Sequence, residues 1–180
     1  MEIVKDSIDG LVTIHPSVFN DERGYFLESF NEKDFKGFIC DTNFVQDNES
    51  MSMKNVLRGL HFQNPPHMQG KLVRVIQGSV LDVVVDLRKK SKTYGQHKKI
   101  VLSSSEKIQF WIPPGFAHGF YTLEDQTIFA YKCTEYYHPD SEVCILWNDE
   151  ILNIDWGVSA PIVSKKDLNG ISFRDFVSPF

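Results

Sequence analysis

The sequence predicts an all-β domain made of two facing sheets, a β-sandwich or double-sheet jelly roll with a few short helices. Apolar and polar residues alternate in about ten short segments separated by turn residues, which is typical of such folds. The chain has 180 residues, enough for one domain with a sizeable core, and no repeat or linker divides it. We therefore expect residues 1–180 to form a single domain.

The clearest strand is the segment SVLDVVVDLR at residues 79–88, which follows a second predicted strand, Lys71–Gln77, after a turn at Gly78. Its alternation places four aliphatic side chains on one face and two carboxylates on the other. The aliphatic residues are Leu81, Val83, Val85 and Leu87, and the carboxylates are Asp82 and Asp86.

The remaining elements are shorter. We predict strands at residues 24–30, 44–48, 56–62, 99–102, 107–112, 119–123, 128–134 and 143–147. Asn31 is expected to cap a helical turn that runs through Phe35, and residues 149–153 are expected to form a second turn of helix. Residues 161–180 have weak periodicity and are predicted to form an irregular arm.

Charge and composition exclude several classes of function. The 19 Lys and Arg against 24 Asp and Glu give a net charge of −5, which argues against a general nucleic-acid binder but leaves room for a local basic pocket. No apolar run approaches the ~18 residues of a membrane span. The three cysteines have no CxxC spacing, which fits a reduced chain without disulfides or a zinc site. We expect a soluble, cytoplasmic protein that binds neither nucleic acid nor membrane.

Two histidine motifs are the strongest candidates for chemistry. The segment VLRGLHFQ, Val56–Gln63, would direct Arg58 and His61 into a barrel mouth, where ligands bind in such folds. The segment IPPGFAHGF contains a Pro-Pro-Gly turn that presents His118 at the start of a strand. The alternatives are an ordinary core or surface histidine at position 61 and an exposed turn histidine at position 118.

Other polar residues have structural alternatives of equal weight. Lys71 lies in an apolar strand and needs a partner or ligand if buried, whereas Arg74, on the opposite face, is expected to be solvated. Tyr131 could be a core aromatic with a hydrogen-bonded hydroxyl, and the lysines of the segment SKKD at residues 164–167 could belong to a solvated charge run.

The two histidine motifs are similar in order to the halves of the cupin metal motif. A metal-binding cupin uses His-x-His followed by a carboxylate, so that three ligands converge. Here the first half reads His61-Phe62-Gln63, and the first carboxylate after His61 is Asp82. We therefore expect a cupin-like jelly roll without a metal, whose histidines serve acid–base work. A metal-dependent cupin oxygenase is disfavoured for the same reason.

Several long segments together resemble the dTDP-4-dehydrorhamnose 3,5-epimerase family, and the likeness covers essentially the whole chain. They are NESMSMKNVLRGLHFQ, KLVRVIQGSVLDVVVDLRKKSKTY, IPPGFAHGF, YKCT, NDEILNIDW and SKKD. The resemblance implies a metal-free cupin jelly roll with no cofactor, and a homodimer that exchanges N-terminal strands. It implies a dTDP-4-keto-6-deoxyhexose substrate that is inverted at C3 and C5 in dTDP-L-rhamnose synthesis.

The resemblance also implies roles for individual residues. His61 would be the general base, oriented and kept basic by Asp167, and Tyr131 would return the proton from the opposite face. Lys71 would lie near the C4 oxygen. Arg23, Phe26 and Glu28 resemble the segment that reaches a neighbouring subunit's nucleotide. The other matching substrate contacts are Gln46, Asn48, Arg58, His118, Glu142 and Lys166.

These residue types suit the implied reaction. A 4-keto group acidifies both neighbouring C–H bonds, so inversion needs a base on one face, an acid on the other and a cation at the enolate oxygen. Arginine suits a diphosphate because its guanidinium binds two oxygens at once. Two alternatives remain: an epimerase in deoxysugar biosynthesis that inverts C3 alone, and a cupin that only binds a sugar or nucleotide. The second would not need His61, Tyr131 and Asp167 together.

Overall fold

The structure, a computed structural model, describes residues 1–180 and contains fourteen strands, two short α-helices and a 3₁₀ turn at Pro139–Ser141. The strands are β1 (Glu2–Lys5), β2 (Val12–His15), β3 (Val18–Asp21), β4 (Gly24–Leu27), β5 (Gln46–Ser52), β6 (Val56–Gln63), β7 (Lys71–Gln77), β8 (Ser79–Asp86), β9 (His97–Ser103), β10 (Gln109–Ile112), β11 (Phe116–Thr122), β12 (Thr127–Cys133), β13 (Glu142–Cys144) and β14 (Ile162–Val163). The helices are α1 (Glu32–Phe38) and α2 (Lys165–Leu168).

The strands form two sheets and a separate hairpin. The first sheet has the order β1-β2-β10-β7-β12-β5 and the second the order β13-β6-β11-β8-β9, with β14 parallel to β6 at its side. Strands β3 and β4 pair only with each other. The predicted all-β, cupin-like double-sheet fold with a few short helices is confirmed.

Apolar side chains fill three layers. The largest cluster lies between the sheets and takes Val73 and Phe129 from the first sheet and Val84 and Phe120 from the second. A second cluster covers the outer face of the second sheet with the C-terminal arm, and a third packs α1 against the outer face of the first sheet through Phe35. Each sheet is therefore covered on both faces over part of its area. This close packing gives a rigid frame for the space between the sheets.

Strand β8 shows how this layering uses the alternation in the sequence. Val83 and Val85 pack into the outer cluster, whereas Val84 and Asp82 point between the sheets. Asp82 and Asp86 are both fully buried. The face of β8 that carries the two carboxylates is thus an interior face, because β8 lies between β11 and β9 and both faces of the sheet are covered there.

Several predicted boundaries are wrong, and some elements were missed. Strand β5 begins two residues later and ends four residues later than predicted, and the strand predicted from residue 24 ends at Leu27. Residues 149–153 form the single helical turn that was predicted, in which the N–H of Asn153 donates to the carbonyl of Asp149, and the turn does not continue into a helix. The sequence did not predict β1, β2, β3 or β14 as strands, and each of them has four residues or fewer.

The C-terminal arm is less irregular than predicted. It contains β14 and α2, and its aromatic residues Phe173, Phe176 and Phe180 pack against the second sheet. Neither α-helix is long or apolar enough to cross a membrane.

Candidate active site

A cavity of about 510 Å³ opens between the two sheets and collects most of the predicted site residues. Those that line it are Arg58, His61, Lys71, His118, Tyr131, Lys166 and Asp167. A second cavity of about 270 Å³ shares His61, Lys71 and Tyr131 with the first. It adds Gln46, Asn48 and Glu142, so ten of the thirteen predicted residues lie in one continuous cleft.

Strand β6 directs both Arg58 and His61 into this cleft by means of an irregularity at Gly59. Residues three apart on a regular strand point to opposite faces. The pairing between β6 and β11 shifts register beside Gly59, which has a φ of +134°, and a Cβ at this position would lie 2.5 Å from the Cα of Gly119. Glycine therefore permits the bulge that brings the two side chains to the same cavity.

His61 is held by a buried carboxylate from the C-terminal arm. Its Nε2 lies 2.6 Å from Oδ1 of Asp167, in helix α2. Ser164 caps this helix by accepting a hydrogen bond from the N–H of Asp167, and the N–H of Gly59 donates to Oδ2. Because Asp167 engages Nε2, the other ring nitrogen, Nδ1, is the one left to take a proton from a bound molecule.

The charge state of Asp167 suits this arrangement. Burial acts to raise its pKa, but the hydrogen bond and charge of His61 and the hydrogen bonds from Gly59 and Ser164 together hold it below the ordinary value. The group is therefore a carboxylate at neutral pH, and its charge lies directly beside the His61 ring.

Lys71 and Tyr131 form the opposite wall, on the first sheet. Lys71 lies on β7 and Tyr131 on β12, with the Lys71 Nζ 5.8 Å from the centre of the Tyr131 ring. Burial raises the pKa of Tyr131, so its phenol keeps its proton at neutral pH. Burial lowers the pKa of Lys71, an effect that the charges of Cys133, Glu142 and Asp82 oppose. Arg74 points to the other face of β7, as predicted, but it is partly buried beside a separate cavity and is not fully solvated.

A second His–Asp pair lies deeper in the cavity. The Nε2 of His118 is 2.8 Å from Oδ2 of Asp82, and both residues are buried. The other oxygen of Asp82, Oδ1, is buried without a hydrogen-bond partner. His118 is thus a cavity residue and not an exposed turn residue. Asp82 was not among the predicted site residues, because the alternation in β8 places its carboxylate opposite the aliphatic face and gives no sign that this face is interior.

The rim of the cleft carries paired charges. Lys166 forms an ion pair with Glu142, whose carboxylate also accepts a hydrogen bond of 2.6 Å from the hydroxyl of Tyr137. Burial acts to raise the pKa of Glu142, but Lys166 and Tyr137 together lower it. Tyr137 also lines the smaller cavity but was not predicted as a site residue. The only sign of it in the sequence was a pair of tyrosines shortly before Pro139.

Three predicted residues lie outside the cleft of their own chain. Arg23 and Phe26 belong to the β3–β4 hairpin and its turn, and Glu28 follows it. The Arg23 guanidinium binds the neighbouring Asp21, and Phe26 is 68% exposed. This chain alone therefore does not bring them to His61.

The donor set of the cleft suits proton transfer on two faces of a flat substrate. A histidine on the second sheet is paired with a carboxylate, a protonated tyrosine lies on the first sheet, and two basic side chains, Arg58 and Lys71, line the same space. One further group adjoins the histidine: Cys144, whose pKa burial and the charge of Asp167 raise to about 12.

Comparison with known proteins agrees with this geometry. The profile of the family described as dTDP-4-dehydrorhamnose 3,5-epimerase matches residues 5–175. The dTDP-4-dehydrorhamnose 3,5-epimerase of Methanothermobacter thermautotrophicus is 51% identical over 175 residues, covering 96% of this chain and 94% of the relative.

Solved structures show the same fold. The dTDP-6-deoxy-D-glucose-3,5-epimerase RmlC of Legionella pneumophila, in complex with dTDP-4-keto-L-rhamnose, superposes with a TM-score of 0.94 at 47% identity, over 98% of this chain and 94% of that one. ChmJ, a 3'-monoepimerase of Streptomyces bikiniensis in complex with dTDP-quinovose, gives 0.89 at 29% identity, over 94% and 87%. The chain belongs to the dTDP-4-dehydrorhamnose 3,5-epimerase family.

Proposed function

We propose that this protein inverts C3 and C5 of dTDP-4-dehydro-6-deoxy-D-glucose to give dTDP-4-dehydro-L-rhamnose, in the synthesis of dTDP-L-rhamnose. The observation that carries the proposal is the placement of the His61–Asp167 pair and Tyr131 on opposite sheets of one cavity. A protein that only bound a sugar nucleotide would not need a base and an acid on facing walls.

Each inversion proceeds through an enolate. The Nδ1 of His61 takes the proton from the carbon next to the C4 carbonyl, and the electron pair of the C–H bond moves to the carbonyl oxygen. The Lys71 ammonium stabilises the negative charge on that oxygen. The phenol of Tyr131 then delivers a proton to the same carbon from the other side, and exchange with water restores both side chains.

Cations at the rim suit the diphosphate. Arg58 and Lys166 line the larger cavity, and an arginine binds phosphate oxygens through two parallel hydrogen bonds. Arg23, Phe26 and Glu28 serve the nucleotide of the partner subunit, across a homodimer that exchanges N-terminal strands. Their absence from the cleft of their own chain supports this assignment.

The exposed surface supports a dimer as well. The solvent-accessible area is 9806 Å², whereas a folded monomer of 20.7 kDa is expected to expose about 8,900 Å². The excess is close to the ~800 Å² that each partner buries in a standard interface. The β3–β4 hairpin contributes three exposed aromatic side chains to this excess area, namely Phe19, Tyr25 and Phe26.

The test is proton exchange followed by NMR in D₂O with dTDP-4-keto-6-deoxyglucose. We expect deuterium at both C3 and C5 and the L-rhamno product. Deuterium at C3 alone would identify an enzyme of the ChmJ type, and exchange at neither carbon would contradict the proposed activity. The His61→Asn variant, which keeps the shape of the pocket but lacks the base, is the control for uncatalysed exchange.

A further inference from the structure

The His61–Asp167 pair has a third neighbour that the epimerase reaction does not use. Cys144 on β13 is the cross-strand partner of His61, and its Sγ lies 3.9 Å from Oδ1 of Asp167. The ligating atoms of the three residues all lie within 4.8 Å of one another. Imidazole nitrogen, thiolate sulfur and carboxylate oxygen are the ligand set that zinc prefers in proteins.

The spacing suits a tetrahedral cation. Bonds of about 2.0–2.3 Å to zinc place neighbouring ligand atoms roughly 3.3–3.8 Å apart. The separation between Cys144 and Asp167 is already 3.9 Å, and no two of the three ligand atoms lie more than 4.8 Å apart. The His61–Asp167 contact must open from 2.6 Å, and a modest shift of the His61 ring serves both of its neighbours. A cation would take the place of the proton that this contact now holds.

A metal ion can approach this group of three residues from the side of the cleft. The side chain of His61 is 27% exposed to the cleft, whereas Asp167 and Cys144 are buried behind it. The nearest ammonium group, Lys166, is already paired with Glu142. An ion that enters from the cleft therefore meets a carboxylate whose charge no lysine or arginine pairs with directly.

We propose that His61, Cys144 and Asp167 form an inhibitory site for a thiophilic divalent cation such as Zn²⁺ or Cd²⁺. The bound ion occupies Nε2 of His61 and separates the ring from Asp167, and its positive charge opposes protonation at Nδ1. Binding rests on the three ligands alone. Inhibition also rests on the proposed role of His61 as the base.

Binding is measured first, without substrate. Titration of the protein with Cd²⁺ should produce the near-ultraviolet absorption of a cadmium–thiolate bond, saturating at one ion per chain. The Cys144→Ser variant should lose this absorption. Cys40→Ser is the matched control, since Cys40 is only partly exposed and belongs to no such cluster, and it should keep the absorption.

Inhibition is measured second, on the epimerase reaction. Zn²⁺ should stop turnover of the wild-type protein, a chelator should restore it, and Mg²⁺ should have no effect because it prefers oxygen ligands. Cys144→Ser should keep its basal turnover, because the thiol contacts Asp167 and not the substrate. The Zn²⁺ concentration for half-inhibition should rise by at least the roughly 10–100-fold that loss of an outer-shell partner costs a metal site.

The outcomes separate this proposal from the proposed function. Absence of the Cd²⁺ absorption, or its persistence in Cys144→Ser, would overturn the site. Loss of the absorption in Cys133→Ser would assign the metal to the other buried thiol and would also overturn it. If the absorption behaves as expected but no substrate is turned over, the ion site stands and the assigned reaction fails.

Discussion

The phenol of Tyr131 keeps its proton at neutral pH because burial raises its pKa, and it shares the cleft with His61 from the opposite sheet. Removal of the proton by His61 requires only the base and stabilisation of the enolate by Lys71. Return of a proton to the other face of the sugar requires a donor there. The proposed mechanism therefore gives the two side chains different halves of each inversion.

The Tyr131→Phe substitution should separate exchange from inversion. The ring still fills its space, so the fold should be retained, whereas the proton of the hydroxyl is lost. Solvent deuterium should still enter at C3 or C5, because His61 can take and return a proton on its own face. The ratio of deuterium incorporation to epimerised product, compared with wild type by NMR, should rise. Equal loss of both rates, or no loss of either, would make Tyr131 a packing or binding residue.

The His61→Asn substitution should lower kcat by about 10²–10⁴-fold, the usual contribution of general acid–base catalysis. Asp167→Asn should lower kcat less, because the amide can still orient the ring but cannot stabilise its positive charge. Affinity for dTDP, measured by calorimetry, should change little in both variants, since it depends on the arginines and the nucleotide contacts. Near-native turnover of His61→Asn would remove His61 from the mechanism.

At the scale of elements, the strand–strand register explains how distant segments meet at the site. Tyr131 on β12 pairs with Asn48 on β5, and His61 on β6 pairs with both His118 and Cys144. Gly59 is the critical position in this arrangement, since the bulge beside it reverses the face on which Arg58 would otherwise lie.

The Gly59→Ala substitution should disturb both fold and site. A Cβ at position 59 would lie 2.5 Å from the Cα of Gly119. The φ of +134° at this position is also strained for every residue other than glycine. We expect a loss of roughly 2–5 kcal/mol in unfolding free energy, from backbone strain and overpacking together. Urea denaturation should show this loss, and kcat should fall because His61 and Asp167 are displaced. Gly157→Ala, which has a positive φ but no neighbour within 4 Å, is the control for strain without a clash.

The loop after β8 donates hydrogen bonds to the buried carboxylate of Asp86. We therefore expect the free energy of unfolding to depend on pH in the acidic range. Burial acts to raise the pKa of Asp86, but hydrogen bonds from Arg88, Ser91 and Thr93 lower it from 3.8 to about 2. A lowered folded-state pKa gives stability that is present above the unfolded value and is lost as the pH falls from about 5 towards 2. The contribution is about 2 kcal/mol.

The Asp86→Asn variant tests this dependence. It should be less stable than wild type at pH 7, and the difference between the two proteins should shrink as the pH falls to about 3. Urea denaturation at several pH values measures both unfolding free energies. A difference that stays constant over this range would show that the charge of Asp86 does not contribute to stability.

The sequence predicted elements well where the pattern is regular and poorly where context decides. Strand β7 was predicted with its observed ends, because its aliphatic run lies between two glycines, Gly70 and Gly78. The four-residue strands β1 and β2 were missed, since so short a segment carries little periodicity. Asp82 received no role because alternation shows that it faces away from Val83 but cannot show that this face is also interior.

At the scale of the whole molecule, the prediction of the site residues depended on the family resemblance more than on local sequence patterns. No periodicity in residues 161–180 indicates that Asp167 reaches His61, 106 positions earlier in the chain. The halves of the site come from different sheets and from the C-terminal arm, so only the complete fold assembles them. The hairpin residues Arg23 and Phe26 remain outside even that assembly, which is why we propose that they serve the site of a second chain.

Arg23 is the residue that best tests a shared site. If it holds the diphosphate bound to the partner subunit, Arg23→Ala removes a charge-assisted hydrogen bond worth about 1.5–3 kcal/mol. KM should then rise by roughly one to two orders of magnitude with little change in kcat. Arg23→Lys should restore little, because lysine lacks the planar guanidinium that binds two oxygens.

Mixing two defective proteins shows whether the site spans two chains. In a dimer of one Arg23→Ala chain and one His61→Asn chain, one site would combine an intact His61 with an intact Arg23 from the other chain, and the second site would lack both. Random exchange of equal amounts should therefore restore about a quarter of the wild-type activity at a substrate concentration below KM. Differently tagged chains, recovered together by two-step affinity purification, establish that exchange has occurred. If such mixed dimers form and remain as inactive as their parents, Arg23 acts within its own chain or not at all, and the exchanged-strand dimer loses its functional support.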